Sequence, residues 1–122
     1  MLTGVGCDLI EIERVKKACE KESFLLRVYT EEERRQAGGK ASRLAGNFAV
    51  KEAVSKVFGT GFRSFELRDI EVLRDELGKP YVRLYRGAQA LAEDLKIRKI
   101  HVSITNTEEQ AMAFAVGEGD AS

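Results

Sequence analysis

The feature that most constrains this chain is one long helical pattern. From Ala41 to Phe58 apolar residues recur at helical spacing, and Gly59 then supplies a stop. On a wheel at about 100° per residue, Ala49, Val50, Ala53, Val54, Val57 and Phe58 fill one half. Phe48, Lys51, Glu52, Ser55 and Lys56 fill the other, so the charges form a polar face rather than a break in the helix. Glu52 and Lys56 have the favourable i,i+4 orientation, which in an exposed pair contributes roughly 0.2–0.5 kcal/mol. A solvated face does not ordinarily place a phenylalanine among its charges, so Phe48 argues that this face is covered. The stop is followed by Thr60 and Gly61, and the two glycines offer a flexible backbone whose amides suit an anion.

The rest of the chain is read around that helix. Residues 2–7 have the pattern of a strand, with Gly4, Gly6 and Asp8 on one face and Thr3, Val5 and Cys7 on the other. The first face therefore permits close approach to the backbone beside an acid. A helix is predicted over 10–21, with Asp8 available as its cap. Thr30 and Glu33 have the spacing of a capping box at the next helix. Two strands are predicted near 65–74 and 80–85, around a turn with Gly78, Lys79 and the only proline, Pro80. A helix follows over 87–99. "KIHVSIT" alternates, with Ile100, Val102 and Ile104 on one face and His101, Ser103 and Thr105 on the other. After a loop at 106–109, "QAMAFAVG" reads as its antiparallel partner. The element order predicts an α+β fold with a mainly antiparallel sheet and the long central helix packed on it. It forms a single domain over 1–118, with 119–122 as a frayed tail.

A chain of 122 residues suits one domain, and with 43% apolar residues it can bury a real but small core. Twenty acidic and twenty basic side chains argue against a nucleic-acid binder. Nine of the basic residues lie between Arg14 and Arg43, against five Glu, so one face could receive an acidic partner or be an ordinary surface of mixed charge. Two cysteines are too few for a disulfide framework. Cys7, on the face opposite Asp8, reads as a small buried hydrophobe rather than a nucleophile. The start has no signal-peptide pattern and no stretch is long and apolar enough for a membrane span, which points to a cytoplasmic protein.

Three separated segments complement one another. Asp8 and Glu52 supply carboxylates. Lys51, Lys56, Lys79 and His101 supply cations or proton carriers. Magnesium characteristically takes one or two carboxylates together with substrate phosphate oxygens, and lysines neutralise the remaining phosphate charge. Asp8 is equally open to reading as a helix cap, His101 as a strand-face residue, and Lys79 as a turn residue.

"GVGCDLIEIERV" (4–15), "LAGNFAVKEAVSKVFGTG" (44–61) and "HVSIT" (101–105), in this order and at this spacing, closely resemble the small 4′-phosphopantetheinyl transferases of the holo-[acyl-carrier-protein] synthase type. The resemblance runs from Gly4 to about Val116. It implies a magnesium-dependent enzyme that moves the 4′-phosphopantetheine arm of coenzyme A to a serine of apo-acyl-carrier protein, releasing adenosine 3′,5′-bisphosphate for fatty acid biosynthesis. By the same resemblance Asp8 and Glu52 bind magnesium and Lys56 faces the pyrophosphate. Lys51 and Ser55 share their helix face. Gly59, Thr60 and Gly61, with Lys79 and Pro80 of the turn, line the coenzyme pocket. His101, with Ser103 beside it, lies near the phosphates, and Arg14 faces the acidic carrier. The resemblance further implies homotrimers with sites at subunit interfaces. Glu52, preferably through a water, is the candidate base for the serine proton. Many relatives carry arginine where this chain has Asn47, and histidine where it has Asn106. Both changes remove anion grip and leave Asp8, Glu52 and Lys56 intact. A catalytically weak relative that binds coenzyme A or the carrier is the alternative.

Overall fold

The computed structural model describes residues 1–59 and 64–120. Strand β1 (Leu2–Glu11) leads into three short helices, α1 (Ile12–Ala18), α2 (Glu22–Val28) and α3 (Glu31–Ala37), and then the long α4 (Ala41–Phe58). A 3₁₀ turn at Leu67–Asp69 precedes the hairpin β2 (Ile70–Arg74) and β3 (Pro80–Leu84). Helix α5 (Arg86–Asp94) and strands β4 (Lys99–Asn106) and β5 (Gln110–Glu118) complete the chain. β5 lies between β1 and β4 and is antiparallel to both. β2 and β3 form a separate two-stranded sheet. The α+β expectation with a long central helix holds.

Helix α4 sits directly on β1 and β5 because those strands turn mainly glycine and alanine toward it, while Ile100, Val102 and Ile104 of β4 pack beside it. Ala111, Ala113 and Ala115 of β5 face inward and are buried. On β1 the inward positions are Gly4, Gly6, Asp8 and Ile10. A Cβ on Gly6 would lie 2.0 Å from the Ala53 carbonyl oxygen and 2.9 Å from Lys56 Cβ, and one on Gly4 would lie 2.8 Å from the Val57 oxygen. The space that the sequence places beside Asp8 is therefore filled by α4. Gly6→Ala must push the helix outward, and overpacking of this kind costs about 1–3 kcal/mol. A lower melting temperature than the wild type is expected for Gly6→Ala; an unchanged melting temperature would contradict this packing.

The helix is also covered on its far side. Phe65, Ile70, Val72, Ala88, Ala92 and Ile97 join its apolar residues in one core, while Ile12, Val15, Val28, Tyr29, Ala37, Leu44 and Ala45 form a second around its N-terminal half. Lys51, Ser55 and Asn47 are consequently buried, and the expected polar face narrows to Glu52 and Lys56. Phe48 is covered, stacking on Phe24 of α2 with ring centroids 6.1 Å apart.

Local differences have local causes. β1 runs to Glu11, not 7, because Leu9–Glu11 continue the ladder with β5. Asp8 is thus mid-strand and caps no helix; the N-cap of α1 is Glu11, without a side-chain cap bond. The helix expected over 10–21 covers only Ile12–Ala18, and a second short helix that the periodicity did not announce follows at Glu22–Val28. Strand β2 begins only at Ile70, since Glu66 and Asp69 cap each other across the 3₁₀ turn. α5 stops at Asp94, ahead of Lys96 in the left-handed region (φ 61°). The Thr30–Glu33 capping box is present as expected. Gly119 bonds to Met1 through both backbone groups and Asp120 pairs with Arg98, so this half of the expected frayed tail is held. Among the described residues no helix is long and apolar enough to cross a membrane.

Candidate active site

Three expected residues are brought together where β1 meets the C-terminal half of α4. Asp8 points inward from the strand, and Glu52 and Lys56 stand one helical turn apart facing it. Lys56 Nζ donates to the Cys7 carbonyl at 2.9 Å and lies 3.6 Å from Asp8 Oδ1. The glycines at 4 and 6 that seat the helix also bring these side chains into range. Burial raises the Asp8 carboxyl above its ordinary range, against the charge of Lys56. Burial, and then the negative charge of Asp8, raise Glu52, again against Lys56. Two partly desolvated carboxylates, one of them raised further by the charge of the other, make a site that gains from a cation.

The donor set also indicates which cation. Among the described residues no group of three or more His, Cys, Asp or Glu side chains could hold a metal. A closed transition-metal centre does not fit. Magnesium does, because it uses one or two carboxylates and completes its shell with water and phosphate oxygens. Asp8 and Glu52 are the residues that would hold it.

Other expected site residues lie elsewhere. Lys51 is a correction: its ammonium is fully buried, donating to Glu33 Oε1 at 2.8 Å, to the Leu67 carbonyl at 3.1 Å and to the Ile70 carbonyl. All three of its donors are used inside the protein, leaving none for a coenzyme. Ser55 is likewise buried and donates back to the Lys51 carbonyl at 2.7 Å. Gly59 is the left-handed C-cap of α4 (φ 76°). Thr60 and Gly61 lie outside the described residues. Lys79 is exposed in the β2–β3 turn, its N–H donating to Asp75 Oδ1 at 2.9 Å, and Pro80 opens β3 opposite Arg74.

His101 and Ser103 are parted from Asp8 within the chain. They project from the outer face of β4, away from α4, and His101 Nε2 pairs with Glu118 Oε1 at 2.8 Å. Cys7 also lies on that outer face, and it is exposed rather than buried. Arg14 is exposed on α1, near Lys16 and Lys17. The sequence reading missed a cationic cluster at the other end of α4, where Lys40, Arg43 and Arg74 line one cavity with Asn106. Its signals in the sequence were Asn106, which lines the cavity, and Asn47, since an asparagine buried in an apolar helix needs partners.

Paired carboxylates beside a lysine make a site suited to a metal-bound, phosphate-bearing ligand. The family profile for the 4′-phosphopantetheinyl transferase superfamily matches residues 4–115. The chain belongs to this superfamily, and it is a 4′-phosphopantetheinyl transferase. It is 54% identical over 118 residues to the holo-[acyl-carrier-protein] synthase of Lachnoclostridium phytofermentans, covering 97% of each chain. Among solved structures, the synthase of Neisseria meningitidis superposes with a TM-score of 0.87 at 32% identity, over 97% of this chain and 99% of that one. The Bacillus anthracis synthase, in complex with CoA (3′,5′-ADP), superposes with a TM-score of 0.81 at 35% identity, over 98% of this chain and 99% of that one.

Proposed function

We propose that this chain is a holo-[acyl-carrier-protein] synthase that transfers 4′-phosphopantetheine from coenzyme A to a serine of apo-acyl-carrier protein, with Mg2+ as cofactor, in the cytoplasm and for fatty acid biosynthesis. The observation that carries the proposal is the half-buried Asp8–Glu52 pair with Lys56 beside it, in a chain of this superfamily. When bound, magnesium supplies charge neutralisation and polarisation of the pyrophosphate. Asp8 and Glu52 would hold it. Lys56, more than half exposed, turns its remaining N–H donors to the pyrophosphate oxygens. The serine Oγ forms a bond to the phosphorus that carries pantetheine as the bond to the departing bisphosphate breaks. Glu52 takes the serine proton through an intervening water, and Lys56 steadies the leaving anion.

This reading requires release of adenosine 3′,5′-bisphosphate only when coenzyme A and an apo-carrier are both present. Coenzyme A binding without release would leave only a binding protein.

Arg14, exposed on the basic helix α1, is proposed to meet the acidic carrier. Arg14→Ala should raise the KM for the carrier severalfold at low ionic strength and little at high, because exposed charges are screened beyond about 10 Å at 0.1 M salt. A salt-independent KM in both proteins would remove Arg14 from the docking face.

We further propose a homotrimer built through the outer sheet face. Val5 (58% exposed), Leu9 (60%), Met112 (40%) and Phe114 (43%) lie together there, because β1 and β5 pair Cys7 with Phe114 and Leu9 with Met112. A contiguous apolar face on a small domain marks an interaction surface. Sedimentation should give a trimer mass for the wild type and a monomer mass for Phe114→Glu. A monomeric wild type would contradict the assembly.

A further inference from the structure

The end of α1, α2, α3 and the start of α4 do not close on one another, and a cavity of about 360 Å³ lies between them. Its apolar wall is made by Cys19, Leu25, Ala41 and Leu44, which continue the core around the N-terminal half of α4. The loop from α3 to α4 leaves the cavity open. Gly38 and Gly39 are left-handed there (φ 56° and 78°), and a Cβ on either would meet nothing within 4 Å. None of the lining residues belongs to the Asp8–Glu52–Lys56 site or to the cationic cavity around Arg74. Protein interiors are otherwise close-packed, and an apolar hollow with a few polar groups is the form that small-ligand sites take.

The polar groups of the lining specify the ligand further. They are Lys16, Glu20 and Arg34, and none of the three takes part in a salt bridge among the described residues. Arg34 Nε is buried and has no hydrogen-bond partner. A buried N–H of this kind costs free energy until an acceptor reaches it. Two cations against one acid favour an anion of single charge over a dianion. The rest of the wall adds no charge. Burial raises the Cys19 thiol and keeps it neutral, and the neighbouring Tyr29 hydroxyl is committed to the Leu44 carbonyl at 2.7 Å. With no aromatic side chain in the lining to stack a ring, the apolar part of the ligand is a hydrocarbon chain.

We propose that this cavity binds a saturated medium-chain monocarboxylate, with its carboxylate on the Arg34 guanidinium beside Lys16 and its chain along Cys19, Leu25, Ala41 and Leu44. A carboxylate accepts the planar fork of a guanidinium in bidentate fashion, which would give Arg34 Nε the partner it lacks. Each methylene moved from water onto the apolar wall adds to the affinity. The site is separate from the transferase reading, and neither depends on the other.

Titration calorimetry of the full chain with hexanoate, octanoate and decanoate tests the site. Affinity should rise about threefold to fourfold for each added methylene. Arg34→Gln should weaken decanoate about tenfold or more and decanol less than about twofold, since only the acid uses the charge-assisted bonds. Cys19→Phe, which fills the cavity, should abolish binding of both. Alkylation of Cys19, followed by peptide mass, reads occupancy at the site itself. Saturating decanoate should slow it severalfold in the wild type, and the same concentration should do little in Arg34→Gln. Phe114→Glu, on the exposed apolar face of the sheet, should leave decanoate binding intact. Absence of decanoate binding, equal loss of decanoate and decanol in Arg34→Gln, or Cys19 alkylation indifferent to decanoate would overturn the proposal. So would binding that Phe114→Glu abolishes and Cys19→Phe spares, because the ligand would then lie on the sheet. Protection of Cys19 by an apo-carrier and not by decanoate would give the cavity to the carrier and overturn the proposal equally.

Discussion

Glu52→Gln is expected to lose transfer by about a hundredfold or more, as removal of a preorganised charged group from a transition state does. At the same time its metal-free protein should melt higher than the wild type at pH values above the titration of Glu52. Both results have one cause. Asp8 and Glu52 are raised above the ordinary carboxylate range, by burial in both and for Glu52 also by Asp8. A carboxylate raised in the folded chain takes up a proton on folding in the window between its unfolded and folded values. Stability therefore falls as pH rises through that window and stays lowered above it. Above that window both groups are ionised at a cost, and Glu52→Gln removes the part due to Glu52. The wild type should also lose activity as pH falls through the same window, when protons displace the cation. Equal or lower melting of Glu52→Gln in chelator, measured by calorimetry beside the wild type, would show that the pair is not strained.

Lys51→Met should be among the most destabilising single changes in the chain. Lys51 and Glu33 are both fully buried and bonded at 2.8 Å. Burial pushes the Glu33 carboxyl up and the Lys51 ammonium down, each opposed by the charge of the other. Removing one partner leaves the other buried and uncompensated, at about 3–5 kcal/mol. A fall in melting temperature of more than about 10 °C follows for a domain of this size. Glu33→Gln in the Lys51→Met background should recover part of it, since glutamine can still accept from the Thr30 N–H, as Glu33 does at 3.0 Å. A mild effect of Lys51→Met together with a coenzyme-specific rise in KM would place Lys51 in the active site instead of the core.

The contrast between Lys51 and Glu52 shows how far the sequence could be read. Periodicity located α4, its end at Gly59 and the alternation of β4 and β5, because those patterns answer to one buried face each. The proximity of Asp8 to Glu52 and Lys56 was legible because glycine at 4 and 6 marks a close approach, although what approaches the backbone there is the helix. Lys51 was misplaced because a wheel knows nothing of a second layer. The 3₁₀ turn and β2 bring two carbonyls and α3 brings a carboxylate over that face, which no local pattern announces. Phe48 was the one hint, and it pointed to cover correctly. His101 was drawn to the site by its chemistry, yet strand alternation sends it to the opposite face of the sheet from Asp8. The cluster around Arg74 could not be assembled from local pattern because its members come from the start of α4, from β2 and from β4, which meet only in the folded chain.

The most direct test of the central claim is the intact mass of an apo-acyl-carrier protein after incubation with this protein and coenzyme A, with magnesium in one reaction and excess chelator in the other. The account predicts a carrier heavier by one phosphopantetheine group with magnesium, and an unmodified carrier with chelator. A carrier of unchanged mass with magnesium, or equal modification in both reactions, would contradict it.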